Sequence, residues 1–379
     1  MDLTAGLLAR GHEVHLWHSP LRRDRVFADD LERLRAQPRF HSLAAAIERH
    51  PAAADISVAL KLRRYLRTRG PFDLVHCHST KAGWLGRAGL AGHSVKRLYT
   101  AHGFLSMDPA AGRVTARIAG GLERVLAGLG AGVVVVSREE YAHAVAIGIP
   151  QAKLRLIPNG VARAPMRDIA AQRSACRHDW GLHPDEVCIG FAGRFTTVKA
   201  PEVMLDSFAD FLRRCRVPAR LVMVGDGPLA ASLRRQAAEL GLTSHIIWLG
   251  ARDARPLMPA FDILALTSKS EGHPLVVLEA MARGLPVVVT RVGGIADTVQ
   301  PGVNGFIAPV GDCEAIAGAL AELARDPTLR ARMGEASRDI SLHFSSDRMV
   351  EQTLAFYQDI VSGVFAGRAA SNLKMAASG

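Results

Sequence analysis

Long apolar runs are missing from this chain. No stretch approaches the roughly 18 residues that a membrane-spanning helix needs, and nothing ahead of the first charged residues reads as a signal peptide. Cysteine is scarce: Cys77, Cys176, Cys188, Cys215 and Cys313 are scattered, odd in number and without a Cys-x-x-Cys pair. That pattern argues for a reducing compartment and against a structural zinc site. Aromatic residues make up only 6%, and none interleave with the basic runs as base-stacking platforms would, so nucleic acid is not an expected partner. No Asp-x-Asp pair is present to hold Mg²⁺ or Mn²⁺. The dinucleotide fingerprint G-x-G-x-x-G is absent from the expected strand–helix junctions, and no residue has the sequence signature of a covalent nucleophile.

What is present is enough for two domains with cores of their own: 379 residues, 49% hydrophobic and 22% charged,. The net charge of +11 is unevenly spread. Residues 1–160 hold 23 Lys/Arg against 13 Asp/Glu, whereas residues 161–379 hold 24 against 23. Arg22-Arg-Asp-Arg25 and Lys61-Leu-Arg-Arg-Tyr-Leu-Arg-Thr-Arg69 carry much of the excess. Such a field attracts an anionic lipid surface or an anionic substrate, or is simply a solvated arginine-rich face.

Short β-branched runs alternate with amphipathic stretches, the pattern of parallel sheets with crossover helices. Strands are expected over 13–17, 74–78, 97–100 and 132–137, then over 188–193, 219–225, 245–249, 263–266 and 286–290. Helices are expected over 201–214, 228–240 and 313–325. Ser137-Arg-Glu-Glu140 has capping-box spacing and should open a helix. Ile157-Pro-Asn-Gly-Val161 marks the join, followed by a Pro- and charge-rich connector. The division is therefore 1–160 and 161–345, with a closing helix over 346–365 and a tail over 366–379. The start reads as helix, glycine stop, then strand. A doubly wound domain ordinarily begins one step earlier, with a central strand and Gly-rich loop, so the first domain is expected to lack both.

The densest chemistry lies in Ser270-Glu-Gly-His-Pro-Leu-Val-Val-Leu-Glu-Ala-Met-Ala-Arg-Gly-Leu-Pro286, where Glu271 and Glu279 stand eight residues apart. A Gly/Pro loop opens a helix there, presenting free N–H groups to an anion. The two carboxylates can accept hydrogen bonds from hydroxyls. Phosphate beside hydroxyls describes a nucleotide sugar. Gly193-Arg-Phe-Thr-Thr-Val-Lys199 follows a buried strand, which puts Arg194 and Lys199 at the carboxyl edge of a sheet, where open α/β folds bind ligands. Two cations there can neutralise a diphosphate without a metal. Val224-Gly-Asp-Gly-Pro228 supplies a tight turn at the same edge. His76 and His78 share a strand face and could suggest a metal, but no third ligand is evident.

Together these segments resemble the retaining glycosyltransferases of family 4, which have the GT-B fold: two Rossmann-like doubly wound domains facing a cleft. The resemblance runs from about Leu7 to Tyr357. Its motifs occur in the family's order, from Gly11-His-Glu-Val14, Val75-His-Cys-His78, Thr100-Ala-His-Gly-Phe104 and Ile157-Pro-Asn-Gly-Val161 through Gly193-Arg…Lys199 and Val224-Gly-Asp-Gly-Pro228 to the glutamate pair. By this resemblance Arg194 and Lys199 hold the donor diphosphate, Glu279 the ribose hydroxyls and Glu271 the transferring sugar. Backbone N–H groups of Gly272, His273, Pro274 and Leu275 (proline excepted, having none) approach sugar or phosphate, and His102 is the histidine facing the reacting sugar from the other domain. His273 stands where many relatives carry an apolar residue and Pro274 where many carry glycine. Asp297 replaces a common glutamate and receives no role.

The resemblance implies a metal-independent hexosyltransferase without a cofactor. It takes a nucleotide-diphosphate sugar as donor and a glycan or lipid-linked acceptor, and works in cell-surface polysaccharide assembly. The basic first half adds an expected attraction to anionic lipid on the inner face of the cytoplasmic membrane. Two rivals stand beside it: a nucleotide-sugar epimerase of related fold, and a donor-binding protein without turnover in which the missing first strand and loop abolish catalysis.

Overall fold

A computed structural model describes residues 1–22, 25–48, 52–108, 110–163 and 169–365. Arg23 and Asp24 of the first basic run, residues 164–168 of the connector and the expected tail lie outside the described residues. The chain forms two units, 1–159 with 347–379, and 160–346.

In chain order the first unit contains α1 (Asp2–Ala9), β1 (Val14–His18), α2 (Arg25–Arg35), β2 (Phe40–Ala44), α3 (Ala54–Arg69), β3 (Leu74–His78), α4 (Thr80–Gly89), β4 (Lys96–Thr100), α5 (Arg113–Leu129), β5 (Gly132–Val135), α6 (Arg138–Ala146) and β6 (Leu154–Leu156). β3-β4-β5-β6 form a four-stranded parallel sheet; β1 and β2 pair in parallel as a separate two-stranded sheet. Four consecutive buried residues make up β5, as a strand covered on both faces requires,. The expected cap of α6 is present: Ser137 Oγ accepts from the Glu140 N–H at 3.1 Å. One ion pair is sealed inside this unit. Arg87 and Glu123, on α4 and α5, meet at 2.7 Å with side chains 0% and 2% exposed. Trp84 Nε1 donates to the same carboxylate at 2.8 Å, and the guanidinium lies 4.0 Å over the Tyr99 ring. Such a pair holds because each charge is matched; deleting one partner strands the other.

The second unit contains α7 (Ile169–Asp179), β7 (Val187–Ala192), α8 (Pro201–Arg214), β8 (Ala219–Val224), α9 (Ala230–Glu239), β9 (Ile246–Gly250), β10 (Ile263–Leu266), α10 (Leu275–Met281), β11 (Val287–Thr290), α11 (Ile295–Thr298), β12 (Gly305–Ala308), α12 (Cys313–Arg325) and α13 (Pro327–Ser341). Its parallel sheet runs β12-β11-β10-β7-β8-β9. The first strand is thus central, and the order reverses between β7 and β10. Pro201 opens α8 with a φ already suited to a helix,. Met204, Leu205, Phe208 and Phe211 then fall on one face and are buried against the sheet and α12. Full burial contributes about 1.5–3 kcal/mol for each such side chain. α14 (Ser346–Val361) returns to the first unit, where Phe356 and Ile360 pack with Leu98 and Val134. Among the described residues no helix is long and apolar enough to cross a membrane.

Candidate functional site

In a doubly wound sheet, the carboxyl ends of the two strands where the order reverses leave a crevice for ligands. In the second unit those strands are β7 and β10. The loop leaving β7 carries Arg194 and Lys199; the loop leaving β10 carries Ser268 and Glu271.

The loop after β7 is locked to its neighbours by backbone bonds. Gly193 N–H donates to the Val224 carbonyl at 3.0 Å and Phe195 N–H to that of Asp226 at 2.9 Å. Gly225 makes the approach possible, since a Cβ there would stand 1.9 Å from the Gly193 carbonyl oxygen,. Phe195 is buried and packs edge-on against Trp248. Its neighbour Arg194 is exposed and forms no ion pair among the described residues. On the other side Lys269 N–H donates to the Val198 carbonyl at 2.7 Å, and Thr267 Oγ1 to that of Ala200 at 2.8 Å.

These bonds bring Lys199 and Glu271, 72 residues apart in sequence, into one ion pair. Lys199 Nζ lies 2.5 Å from Glu271 Oε1, and the buried Ser268 donates its hydroxyl to the same oxygen at 2.6 Å. Thr290 fixes Ser268 in turn through its carbonyl, at 2.6 Å. The residue assigned to phosphate and the residue assigned to sugar therefore neutralise each other.

The segment after Glu271 rests on the Gly293-Gly294 turn. Gly294 N–H donates to the Gly272 carbonyl at 2.7 Å. Gly293 has φ +49, and a Cβ on it would lie 1.9 Å from the Glu271 carbonyl oxygen. His273 turns its imidazole inward, 4% exposed, with its ring 5.4 Å from that of Phe344. Burial holds its pKa down at about 4, so the ring is neutral,. Pro274 caps α10, with Leu275 exposed and Val277, Leu278 and Met281 buried. Glu279 stands half-buried one turn along, beside the charge of Arg283, whose Nη1 donates to the Glu279 carbonyl at 2.7 Å.

His102 belongs to the first unit, just beyond β4, with φ +50. Its Nε2 is 3.0 Å from His78 Nδ1, and the two rings stack. The His76 ring lies 4.1 Å from that of His78 and spends both nitrogens on hydroxyls, Tyr357 at 2.6 Å and Thr100 at 2.7 Å. That leaves His76 no lone pair for a metal. Solvent reaches His78 and His102, yet the surrounding protein disfavours a cation on either. His78 is pushed down to about 3, first by desolvation and then by the neighbouring imidazole, and His102 is held at about 4. His102 is accordingly a neutral hydrogen-bonding group at physiological pH, not a cation. Behind it Glu140 accepts from the Val136 N–H at 2.9 Å, with the Gly103 N–H also stabilising its charge; burial nonetheless raises its carboxyl to about 7.

Ser268, Thr290 and Gly293 stand in no motif that marks them from sequence, and Glu140 is marked only as the far end of a capping box. Among the described residues one trio brings metal-type ligand atoms together: Glu13, His15 and His41, at the amino ends of β1 and β2. There Glu13 already bonds both imidazoles, at 2.9 and 3.1 Å.

Comparison with known proteins converges on one family. The family described as Glycosyltransferase Family 4 matches residues 1–164, and that described as Glycosyl transferases group 1 matches residues 172–340. The N-acetyl-alpha-D-glucosaminyl L-malate synthase of Bacillus anthracis is 26% identical over 95% of this chain and 92% of its own. A D-inositol 3-phosphate glycosyltransferase of Saccharomonospora viridis is 32% identical over 77% of this chain and 71% of its own. Among solved structures, Anabaena Alr3699/HepE in complex with UDP and glucose superposes with a TM-score of 0.78 at 21% identity, covering 94% of this chain and 95% of that one. The sucrose-phosphate synthase of Thermosynechococcus elongatus does so with a TM-score of 0.78 at 22% identity, covering 96% and 92%. These structural likenesses establish the GT-B fold.

Proposed function

The chain belongs to the group 1 glycosyltransferases of family 4, and from that premise we propose that it moves a hexose from a uridine diphosphate sugar to a glycan or lipid-linked acceptor, with retention and without a metal. One observation carries the reading: Lys199, Ser268 and Glu271 converge at the switch point of the second sheet, next to an exposed Arg194. UDP and UDP-glucose in the Anabaena neighbour's complexes support the choice of donor.

The chemistry follows from charge. Breaking the bond between anomeric carbon and phosphate leaves negative charge on the diphosphate, and Arg194 and Lys199 are fixed cations that stabilise it. Glu271 accepts hydrogen bonds from the sugar, Glu279 from the ribose, and the backbone from Gly272 to Leu275 lines the approach. With no covalent nucleophile to form an intermediate, the acceptor attacks from the face the diphosphate leaves, a diphosphate oxygen taking its proton. His102, neutral, orients the reacting groups rather than supplying charge. The excess of basic residues in the first unit draws the protein to an anionic inner-membrane surface, in keeping with a cytoplasmic, peripheral enzyme of polysaccharide assembly.

A second reading of the acceptor comes from the relatives' names, which specify D-inositol 3-phosphate and L-malate. Both are small anions, and a basic first unit suits them too. UDP release measured with UDP-glucose and each acceptor class separates the two readings; release without any acceptor would instead indicate hydrolysis, and epimerised donor the epimerase. Within the site, Arg194→Ala should weaken UDP binding by roughly 10- to 100-fold, the worth of a hydrogen bond to a charged group. Glu271→Gln should slow transfer without weakening UDP binding, since Lys199 is then released from its ion pair. Unchanged kinetics in both variants would remove the site assignment.

A further inference from the structure

α5 presents solvent with a surface that a soluble helix does not need. Its inner face buries Ala119, Gly120, Glu123, Leu126 and Ala127. On the outside, Val114, Ile118 and Val125 are 71%, 67% and 66% exposed, with Leu122 and Leu129 beside them at 37% and 38%. The spacing i, i+4, i+8, i+11, i+15 confines these five side chains to roughly 80° of arc at 3.6 residues per turn. Along one border of the stripe run Arg113, Arg117 and Arg124, all exposed. The helix has one acidic residue, Glu123, and it is turned inward to Arg87 and Trp84. Its outward face is thus apolar and cationic, with no acid at all.

We infer that α5 is the element by which this protein lies on an anionic bilayer, its apolar stripe entering the acyl boundary and its arginines meeting the headgroups. The inference rests on the membrane attraction proposed above and gives it a location. Charge complementarity selects the occupant: an anionic surface matches three arginines. A second copy of the chain would bring the same arginines against each other across a two-fold contact. The helix has 17 residues, and no described helix qualifies to cross a membrane, so it lies in the interface plane rather than spanning it.

Sedimentation with vesicles of phosphatidylglycerol and phosphatidylcholine in equal parts, against pure phosphatidylcholine, tests this with the full chain. Wild type should bind the anionic vesicles. Ile118→Ser with Val125→Ser should lower the partition coefficient at least tenfold at low and at physiological salt. Arg113→Gln with Arg117→Gln and Arg124→Gln should weaken the preference for anionic lipid severalfold. Ile56→Ser with Leu60→Ser, on the exposed side of α3, should bind as wild type does. Melting temperature and UDP affinity report that each variant is folded. If wild type binds and the α5 variants bind equally well, the location is wrong while the membrane reading stands. If wild type binds neither vesicle, both fall. A wild-type dimer in sedimentation velocity that Ile118→Ser with Val125→Ser dissociates overturns the proposal in favour of self-association.

Discussion

Replacing Gly293 by alanine is the sharpest probe of the donor loop. The added Cβ would stand 1.9 Å from the Glu271 carbonyl oxygen and 2.7 Å from that of Gly272. Ordinary contact begins near 3.4 Å, so the backbone under Glu271 must retreat by about 1.5 Å, because the repulsive wall is steep. Neither obstacle is the end of a flexible side chain; both are backbone atoms of the segment that carries Glu271 to its ion pair. Two costs follow. The φ of +49 costs an alanine roughly 1–2 kcal/mol, which for a unit of this size lowers the melting temperature by roughly 2–8 °C. Displacing a reacting group by about 1 Å costs transfer on the order of 100-fold. Gly302 is the control: its φ is +78, yet nothing lies within 4 Å of the Cβ position. Gly302→Ala, which bears the φ cost alone, should show a smaller thermal loss and normal transfer. Circular dichroism melts and UDP release from a UDP-hexose measure the two effects separately. If Gly293→Ala retains full transfer, or if Gly302→Ala loses as much, then Gly293 does not set the geometry of Glu271.

Two further predictions concern the first unit. Glu123→Ala leaves the Arg87 guanidinium, 0% exposed, without its carboxylate, and should cost about 3–5 kcal/mol in urea unfolding; Glu123→Gln keeps an acceptor for Trp84 and should cost less. A loss below about 1 kcal/mol would mean the pair is not sealed as described. Glu140 has its carboxyl raised from 4.5 to about 7 by burial, so the folded state holds a proton that the unfolded chain releases. Its contribution is therefore complete below about pH 4.5 and is lost as pH rises through 7, by roughly 3 kcal/mol at most. The stability of Glu140→Gln relative to wild type should rise across that window; parallel pH profiles would show that Glu140 titrates normally.

Elements were legible in the sequence where a β-branched run or an apolar helical period marks them. The strands over 74–78 and 263–266 and the helices over 201–214 and 313–325 have the expected bounds. Three strands carried no such signal: Phe40–Ala44, Leu154–Leu156 and Gly305–Ala308. Each is the edge strand of its sheet, half-covered and short, so neither alternation nor a continuous β-branched run marks it. The site divides in the same way. Arg194, Lys199 and Glu271 were legible because each follows a strand whose carboxyl end opens on the crevice. Ser268 and Thr290 were not, because what they do depends on bonds to loops that only the fold brings near. Glu140 could be seen as the far end of a capping box, but not as a support for the turn that carries His102.

On the proposed reading, the Lys199–Glu271 pair makes recognition of one end of the donor depend on the other. Side chains 25% and 10% exposed cannot readily be left as single charges, because a partly buried ion without a partner pays its desolvation in full. In the structure each satisfies the other, and the Ser268 hydroxyl adds a hydrogen bond to the same carboxylate oxygen. On the proposed reading a diphosphate takes Lys199, and Glu271 then needs the hydroxyls of the sugar to replace what it lost. A nucleotide without its sugar opens the pair and leaves the carboxylate poorly matched; the intact donor satisfies both. Arg194, exposed and outside the pair, has no protein ion pair to break when it meets the phosphate. On that reading attraction of the donor begins at Arg194, and discrimination for a complete nucleotide sugar resides in the exchange of partners at Lys199 and Glu271.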